Sequence, residues 1–379
     1  MKVLHFYKTS LPDTVGGVQI CIDQLATGLG RLGVEVDLLA LAERGDAQGP
    51  TLHNGYRLHR ARQDFEIAST GFSASVLPRF RRLAAAADVV HYHFPWPFMD
   101  VADSLLPPGK PSVVTYHSDI VRQKGWLRLY EPLRRRFLSR VDRIVATSPH
   151  YSMTSDVPRR HAGKVSVIPI GIDPASLARP EAGRLDEWRA RLGEGFFLFI
   201  GVLRYYKGLQ FLIEAARQTG LPTVIVGSGP EEARLMAQAA NVPSIRLLGY
   251  LPEADKAAVL SLCGALVLPS HLRSEAFGIA LIEGALHGKP LISTEIGTGT
   301  SFVNQMPQTG LVVPPADAEG LGDAMRRLWQ APADAVAMGR RARLRALDLF
   351  SAQTMAQSHL ELYSDLLAAS RKSRMAERG

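Results

Sequence analysis

FFLFIGVLRYYKGLQFLIEAARQTGLPTVIVGSGP, Phe196 to Pro230, is the stretch on which the fold turns. Phe196–Ile200 and Thr223–Val226 are short apolar runs. Between them a glycine-bounded loop, Gly201–Gly208, leads into an amphipathic stretch that starts at Leu209. Near-continuous apolar strands on either side of a helix describe a βαβ unit, with parallel strands covered on both faces.

The same alternation extends in both directions. Downstream, Ile245–Leu248, Ala265–Leu268, Leu291–Thr294 and Leu311–Val313 read as strands, each followed by a loop and a helix. Upstream, Val3–Tyr7 is a strand, Ser10–Gly17 a loop and Val18–Leu32 a helix. Val36–Ala40, Val89–Tyr92, Val113–Tyr116 and Ile144–Thr147 continue the pattern, which pauses at Ile168–Pro174, IPIGIDP. Proline and glycine there suit a linker. Two helical stretches, Asp334–Leu347 and Ala352–Ser370, end the chain before a polar tail, Arg371–Gly379, expected to fray. A chain of 379 residues is long for one core and comfortable for two. The expectation is α/β, with two Rossmann-like domains at 1–172 and 173–351. Ligands of open α/β sheets sit at the carboxyl ends of the strands, so two such edges facing each other make one cleft.

Bulk composition narrows the function classes. Hydrophobic residues are 46% and charged residues 21%, and no apolar run approaches the length that spans a bilayer. MKVLHFYKTSLPD lacks the pattern of a signal peptide. Cys21 and Cys263, far apart in apolar segments, read as buried reduced thiols and point to the cytoplasm. The net charge is +8, and Arg122–Arg143 carries eight basic residues against two acidic ones. Trp126, Leu129, Tyr130, Leu133 and Phe137 are interleaved there, with Pro132 expected to start or kink a helix. That segment reads either as a solvated basic face or as a patch for anionic headgroups. Nucleic acid is not expected, because no binding motif accompanies the charge.

Five loops carry chemistry. Gly16–Gly17 open a helix, where a close backbone and free N–H groups suit an anion, or where a tight turn simply needs glycine. Arg204 and Lys207 in GVLRYYKG could clamp a diphosphate, Arg as a planar fork and Lys as a point charge. Glu275 and Glu283 flank the sequence EAFGIALIE. On one continuous helix they would lie about 12 Å apart along the axis and roughly 80° apart around it. That is too far to share a proton, so each could instead bind hydroxyls, with amides near Phe277 and Gly278 facing phosphate. His117 follows an apolar strand in VTYHSD, as do His91 and His93 in VVHYHF; each is a candidate donor to a sugar or a packing residue. The turn at Gly227, GSG, lacks the third glycine of a dinucleotide fingerprint, since Glu232 stands there. No zinc-like spacing and no strand-end pair of aspartates is present, so no metal is expected.

Taken together, these loops resemble the family 4 retaining glycosyltransferases, of the two-domain fold called GT-B, nearly end to end. The most specific element is the Glu-x7-Glu motif, Glu275 to Glu283. Gly16–Gly17, Thr115–His117, Gly171–Asp173 and the VGSGP turn follow in the family's order. The resemblance implies Glu275 on the donor sugar's hydroxyls, the Phe277 and Gly278 amides on the donor, and Glu283 on the ribose diol. It places Lys207 and an arginine on the diphosphate, Gly17 facing it, and His117 beside the sugar. It also has the last helix return to the first domain. Where the family has GRLxxxKG, Val202 occupies the arginine position, and Arg204 is expected to substitute. The GVLRYYKG loop and the HFYKTSLPD opening resemble a bacterial subgroup that adds mannose or rhamnose to lipid-linked surface polysaccharide. That implies a GDP-sugar donor, a polyprenyl-diphosphate-linked acceptor, no cofactor, and a peripheral site on the inner face of the cytoplasmic membrane. An epimerase and a non-catalytic sugar-nucleotide-binding protein are the alternatives; turnover with an acceptor separates them.

Overall fold

The computed structural model describes residues 1–45, 49–67, 70–120 and 124–376. The chain divides into two compact units, Met1–Gly171 together with Ala352–Gly379, and Ile172–Ser351. The division falls inside IPIGIDP.

The first unit runs β1 (Lys2–Phe6), α1 (Gly17–Arg31), β2 (Glu35–Ala42), β3 (Thr51–His53), β4 (Tyr56–Arg62), β5 (Phe65–Ile67), β6 (Thr70–Phe72) and α2 (Val76–Ala86). It continues β7 (Val89–Phe94), α3 (Pro97–Leu105), β8 (Ser112–Tyr116), α4 (Lys124–Arg140), β9 (Arg143–Ala146), α5 (Pro149–Thr154), α6 (Asp156–Arg160) and β10 (Val165–Val167). Its main sheet has the order β10-β9-β8-β7-β1-β2-β4-β3, parallel except for the β3–β4 hairpin. β1, β7 and β8 are buried nearly throughout, as strands covered on both faces must be.

The second unit runs α7 (Ala182–Leu192), β11 (Phe197–Ile200), α8 (Leu209–Thr219), β12 (Thr223–Val226), α9 (Glu232–Ala239), β13 (Ile245–Leu247) and α10 (Glu253–Leu262). Then come β14 (Ala265–Leu268), α11 (Ile279–Leu286), β15 (Leu291–Thr294), α12 (Thr300–Val303), β16 (Gly310–Val313), α13 (Ala318–Gln330) and α14 (Pro332–Leu349). Its sheet, β13-β12-β11-β14-β15-β16, is wholly parallel and reverses direction of growth at β11 and β14. In such sheets the ligand crevice lies at that switch, outside the strands' carboxyl ends. The closing helix α15 (Ala352–Ala376) packs on the first unit, where a Cβ on Gly28 of α1 would meet Ala356 Cβ at 2.8 Å.

The α/β class and the strand-by-strand alternation stand, with four corrections. Residues 53–72, where no strand is expected from the sequence, contain β4 to β6. Arg57, Arg60 and Arg62 interrupt the apolar pattern of β4, yet Arg57 donates to Asp37 of β2 at 2.8 Å and so belongs to the sheet. Residues 95–106, not singled out in the sequence, hold α3, and Pro97 sits in its first turn, where its missing N–H costs nothing. α4 runs through Pro132 as a 17-residue helix, so of the start or kink expected there the start is ruled out. Residues 371–376, expected to fray, continue α15.

Cys21 and Cys263 are buried free thiols, each pushed up to about 12 by burial. Among the described residues no helix is long and apolar enough to cross a membrane.

Candidate functional site

In the second unit the site residues gather beyond β11, β12 and β14. The Gly201–Gly208 loop leaves β11 and is held from below by the GSG turn after β12. Gly201 N–H donates to the Val226 carbonyl at 3.0 Å, and Leu203 N–H to the Ser228 carbonyl at 2.9 Å. Gly227, at φ +137°, passes so close that a Cβ would stand 1.9 Å from the Gly201 carbonyl oxygen. The turn therefore scaffolds the charged loop, backbone on backbone, and the glycine is a steric necessity.

That loop ends in a single 3-10 turn, Tyr205–Lys207, which separates its two cations. Arg204 is exposed and forms no ion pair among the described residues. Lys207 turns inward and pairs with Glu275, their side chains 13% and 10% exposed. Burial drags the ammonium's pKa down, but the Glu275 carboxylate and Tyr206 outweigh it, so Lys207 stays above its ordinary value. Ser270 Oγ donates to the same Glu275 oxygen at 3.2 Å, and Thr298 Oγ1 donates to the Glu275 carbonyl at 2.7 Å. Glu275 is thus locked in place by three elements.

The helical projection from Glu275 to Glu283 does not apply, because α11 begins only at Ile279. Gly278 caps it in the left-handed region, φ +85°, a conformation that glycine adopts without strain. Phe277 is buried, its ring edge-on to Phe350 at 5.8 Å. The amides of Phe277 and Gly278 have no hydrogen-bond acceptor among the described residues, and they lie at a helix N-terminus, where partial positive charge collects. Glu283, one turn into α11, is buried beside Lys256 at 3.5 Å. Burial raises its carboxyl above the usual range, more than Lys256 lowers it. The structure thus brings Lys207 and Glu275 into contact and sets Glu283 apart on its own cation; Lys256, Ser270 and Thr298 carried no signal in the sequence.

In the first unit, Gly16 and Gly17 open α1 after β1, Gly16 in extended backbone and Gly17 as the helix's first, exposed residue. His117 follows β8 and is buried, its N–H donating to the Phe94 carbonyl at 3.1 Å. Both lie at the carboxyl edge of the parallel sheet. His117 also belongs to a larger group. His5, His91, His93, His117 and His359 are all buried, with His91 stacked on His93 at 4.5 Å and on His359 at 5.4 Å. His5 and His359 were not singled out in the sequence; the last helix was expected on the first domain, but not specifically against β1 and β7. Among the described residues, the nitrogens of His5, His91 and His93 lie within 4.8 Å of one another and could hold a metal ion.

Part of the basic segment is paired within the unit. Arg140 pairs with Asp103 of α3 at 3.3 Å, and Arg134 pairs with Glu131. Tyr130 donates to the buried Asp100, and Phe137 packs edge-on against Tyr92 at 5.2 Å. Arg135, Arg136 and Arg140 are exposed, Arg135 donating to Glu131 at 2.7 Å. Arg122 lies outside the described residues.

Known proteins are similar to this chain. Residues 15–176 match the description "Glycosyltransferase Family 4", and residues 185–345 match "Glycosyl transferases group 1". The chain is 53% identical over 355 residues to the D-rhamnosyltransferase WbpZ of Pseudomonas aeruginosa, covering 93% of each. It is 44% identical to the O-antigen chain mannosyltransferase C of Escherichia coli, covering 97% of this chain and 99% of that one. A solved sucrose-phosphate synthase from Thermosynechococcus elongatus superposes with a TM-score of 0.80 at 23% identity, over 97% of this chain and 99% of the other, which shows a common fold.

Proposed function

The chain belongs to glycosyltransferase family 4, and from that premise we propose that it is a retaining hexosyltransferase, moving mannose or rhamnose from a GDP-sugar to a lipid-linked surface-polysaccharide acceptor. The observation that carries this reading is the Lys207–Glu275 pair, held beside the unpartnered Phe277 and Gly278 amides at the head of α11. Cation, carboxylate and helix N-terminus at one place match the three parts of a sugar diphosphate. Lys207, Arg204 and the two amides are assigned to the diphosphate, Glu275 to the sugar hydroxyls and Glu283 to the ribose diol. Gly227 supports the loop that carries both cations. On the first unit, Gly16 and Gly17 are assigned to a phosphate oxygen and His117 to a sugar hydroxyl.

In the reaction, the bond from the sugar's C1 to the diphosphate oxygen breaks, and the acceptor oxygen bonds to C1 on the same face. The acceptor's proton passes to the departing diphosphate. No protein nucleophile is needed. Lys207, Arg204 and the α11 N-terminus stabilise the charge growing on the leaving oxygen, the contribution that positioned dipoles and cations make best. Because protein cations do this work, the transfer is read as independent of metal and cofactor.

The acceptor in this reading is a polyprenyl-diphosphate-linked glycan at the inner face of the cytoplasmic membrane; what supports a surface-polysaccharide acceptor is that one relative is named an O-antigen chain mannosyltransferase. Arg135 and Arg136 of α4 are the described residues that would meet anionic headgroups. At about 1 kcal/mol per basic residue, two give only a reversible contact, so the bound acceptor must supply the rest.

The test is thermal unfolding with GDP-, UDP-, ADP- and dTDP-sugars, with and without a chelator. A ligand at 100 times its Kd adds about 2.7 kcal/mol, a rise of roughly 5–10 °C for units of this size. The expected result is a rise with GDP-mannose or GDP-rhamnose that the chelator leaves unchanged. A rise with another base corrects the donor, and a rise with no nucleotide sugar overturns the reading.

A further inference from the structure

β1, β7 and β8 are neighbouring parallel strands, with His5 in register with His91, and His93 with Thr115. Side chains two apart on a strand share a face, so His5, His91, His93, Thr115 and His117 converge on one side of the sheet. Three of the imidazoles form a chain. His5 Nδ1 lies 2.9 Å from His93 Nε2, and His93 Nδ1 lies 3.0 Å from His117 Nε2. The rings are stacked and 0%, 0% and 4% exposed. The chain's two outer atoms, His5 Nε2 and His117 Nδ1, are buried without a hydrogen-bond partner among the described residues.

Two readings compete, and distances separate them. Two ligands of a tetrahedral zinc with bonds of about 2.0–2.1 Å stand roughly 3.3 Å apart, whereas His5 and His93 are spaced as a hydrogen bond. His91, the third nitrogen source, is already engaged on both sides, by the Tyr363 hydroxyl at 2.6 Å and the Thr115 hydroxyl at 2.7 Å. The trio is therefore built for protons. Burial holds His5 and His117 at about 3 and pushes His93 well below the ordinary value, with His359 adding to each effect. Among the described residues no carboxylate acts on the three; the groups around them are His91, His359, Tyr7 and Tyr363.

Neutral imidazoles have one donor and one acceptor each, so the two hydrogen bonds must point the same way. In one direction the spare N–H sits on His5 Nε2, buried permanently with nothing to accept it. In the other it sits on His117 Nδ1, and His5 ends the chain with a bare lone pair. Either direction leaves one buried N–H unpaired in the protein alone, a costly state, and only at His117, the end assigned to the sugar, can a ligand supply the acceptor. We propose that His5 and His93 are positioning residues, a directional chain that holds His117 as the neutral Nδ1–H tautomer, a hydrogen-bond donor for a sugar hydroxyl. This rests on the reading that His117 meets a sugar.

The test begins with the intact chain labelled with 15N-histidine and a long-range 1H–15N correlation, which reads each tautomer without reference to activity. The expected spectrum has Nδ1–H on His5, His93 and His117, unchanged between about pH 5 and pH 8, where a free histidine titrates. Nε2–H on His117, or an imidazolium in that range, overturns the proposal, as does a spectrum that shifts on zinc addition. His93→Asn keeps an N–H near the Nδ1 position, while His93→Leu does not. The Asn variant is expected to keep the His117 tautomer and most of kcat. The Leu variant is expected to lose the tautomer and at least about tenfold in kcat, as wrong-tautomer histidines do, with KM for the donor little changed. If the Leu variant does not fold, the wild-type spectrum still decides. Full transfer by a folded His117→Ala protein overturns the placement of His117 at the sugar and leaves the chain's direction standing.

Discussion

Replacing Lys207 by Met tests whether the pair with Glu275 is a catalytic assembly or a buried strut. Both side chains are almost covered, and among the described residues Ser270 is the other partner of the Glu275 carboxylate. Removing one member of a buried pair strands the other, which costs about 3–5 kcal/mol, and slight exposure here trims that to roughly 2–4 kcal/mol. For a unit of this size, the unfolding midpoint falls by roughly 5–15 °C. The double variant Lys207→Met/Glu275→Gln removes both charges at similar volume, and its stability is expected to return to within about 1 kcal/mol of wild type. Activity is expected to behave differently. Losing the cation that faces the leaving group costs about 10²–10³ in kcat, and the double variant restores none of it. Chemical unfolding and sugar transfer are measured on the wild type, both single variants and the double variant. A double variant that regains both stability and transfer refutes the assignment of this pair to the donor. A Lys207→Met protein with wild-type stability refutes the premise that the pair is desolvated.

Three further outcomes are expected. Gly227→Ala places a Cβ 1.9 Å from the Gly201 carbonyl in left-handed backbone, so it should destabilise by about 2–3 kcal/mol or more and displace the Arg204–Lys207 loop; unchanged unfolding and donor affinity would sink that account. Asp37 is buried among His59 at 2.7 Å, Arg57 at 2.8 Å and Lys2 at 3.1 Å. Burial raises its pKa, but these partners together hold it well below the carboxylate range. Its stabilisation is thus complete above the unfolded value near 4 and lost as pH falls from there. Asp37→Asn should cost about 1–3 kcal/mol at neutral pH and flatten the acid limb of a stability–pH curve. An unaltered acid limb contradicts this. Arg135→Glu/Arg136→Glu should weaken flotation with phosphatidylglycerol vesicles by more than about tenfold at low salt, and equal flotation removes α4 from the membrane.

Strands buried on both faces were readable because their apolar runs need no neighbour to be recognised: Thr223–Val226, Ala265–Leu268 and Leu291–Thr294 are observed with the same ends as expected. β4 was not readable, since its arginines make sense only once β2 and Asp37 lie alongside. The same limit governs the site. Glu275, Glu283, Lys207 and the glycine turns each follow a strand, and strand ends are where chemistry gathers, so their residue types could be picked out one by one. What their spacing could not show was the left-handed break at Gly278, which takes Glu275 off the helix and delivers it to Lys207. The histidine chain marks the boundary most sharply. His91 and His93 show the strand period of two, and Thr115 and His117 repeat it on the next strand. The chain nevertheless begins on β1, some 85 residues earlier, and is covered by α15, some 240 residues later. No local pattern encodes that β1 inserts beside β7, because sheet order is decided by how helices cover faces along the whole unit. The residues that set a functional group's proton therefore come from the part of the fold that a linear reading sees last.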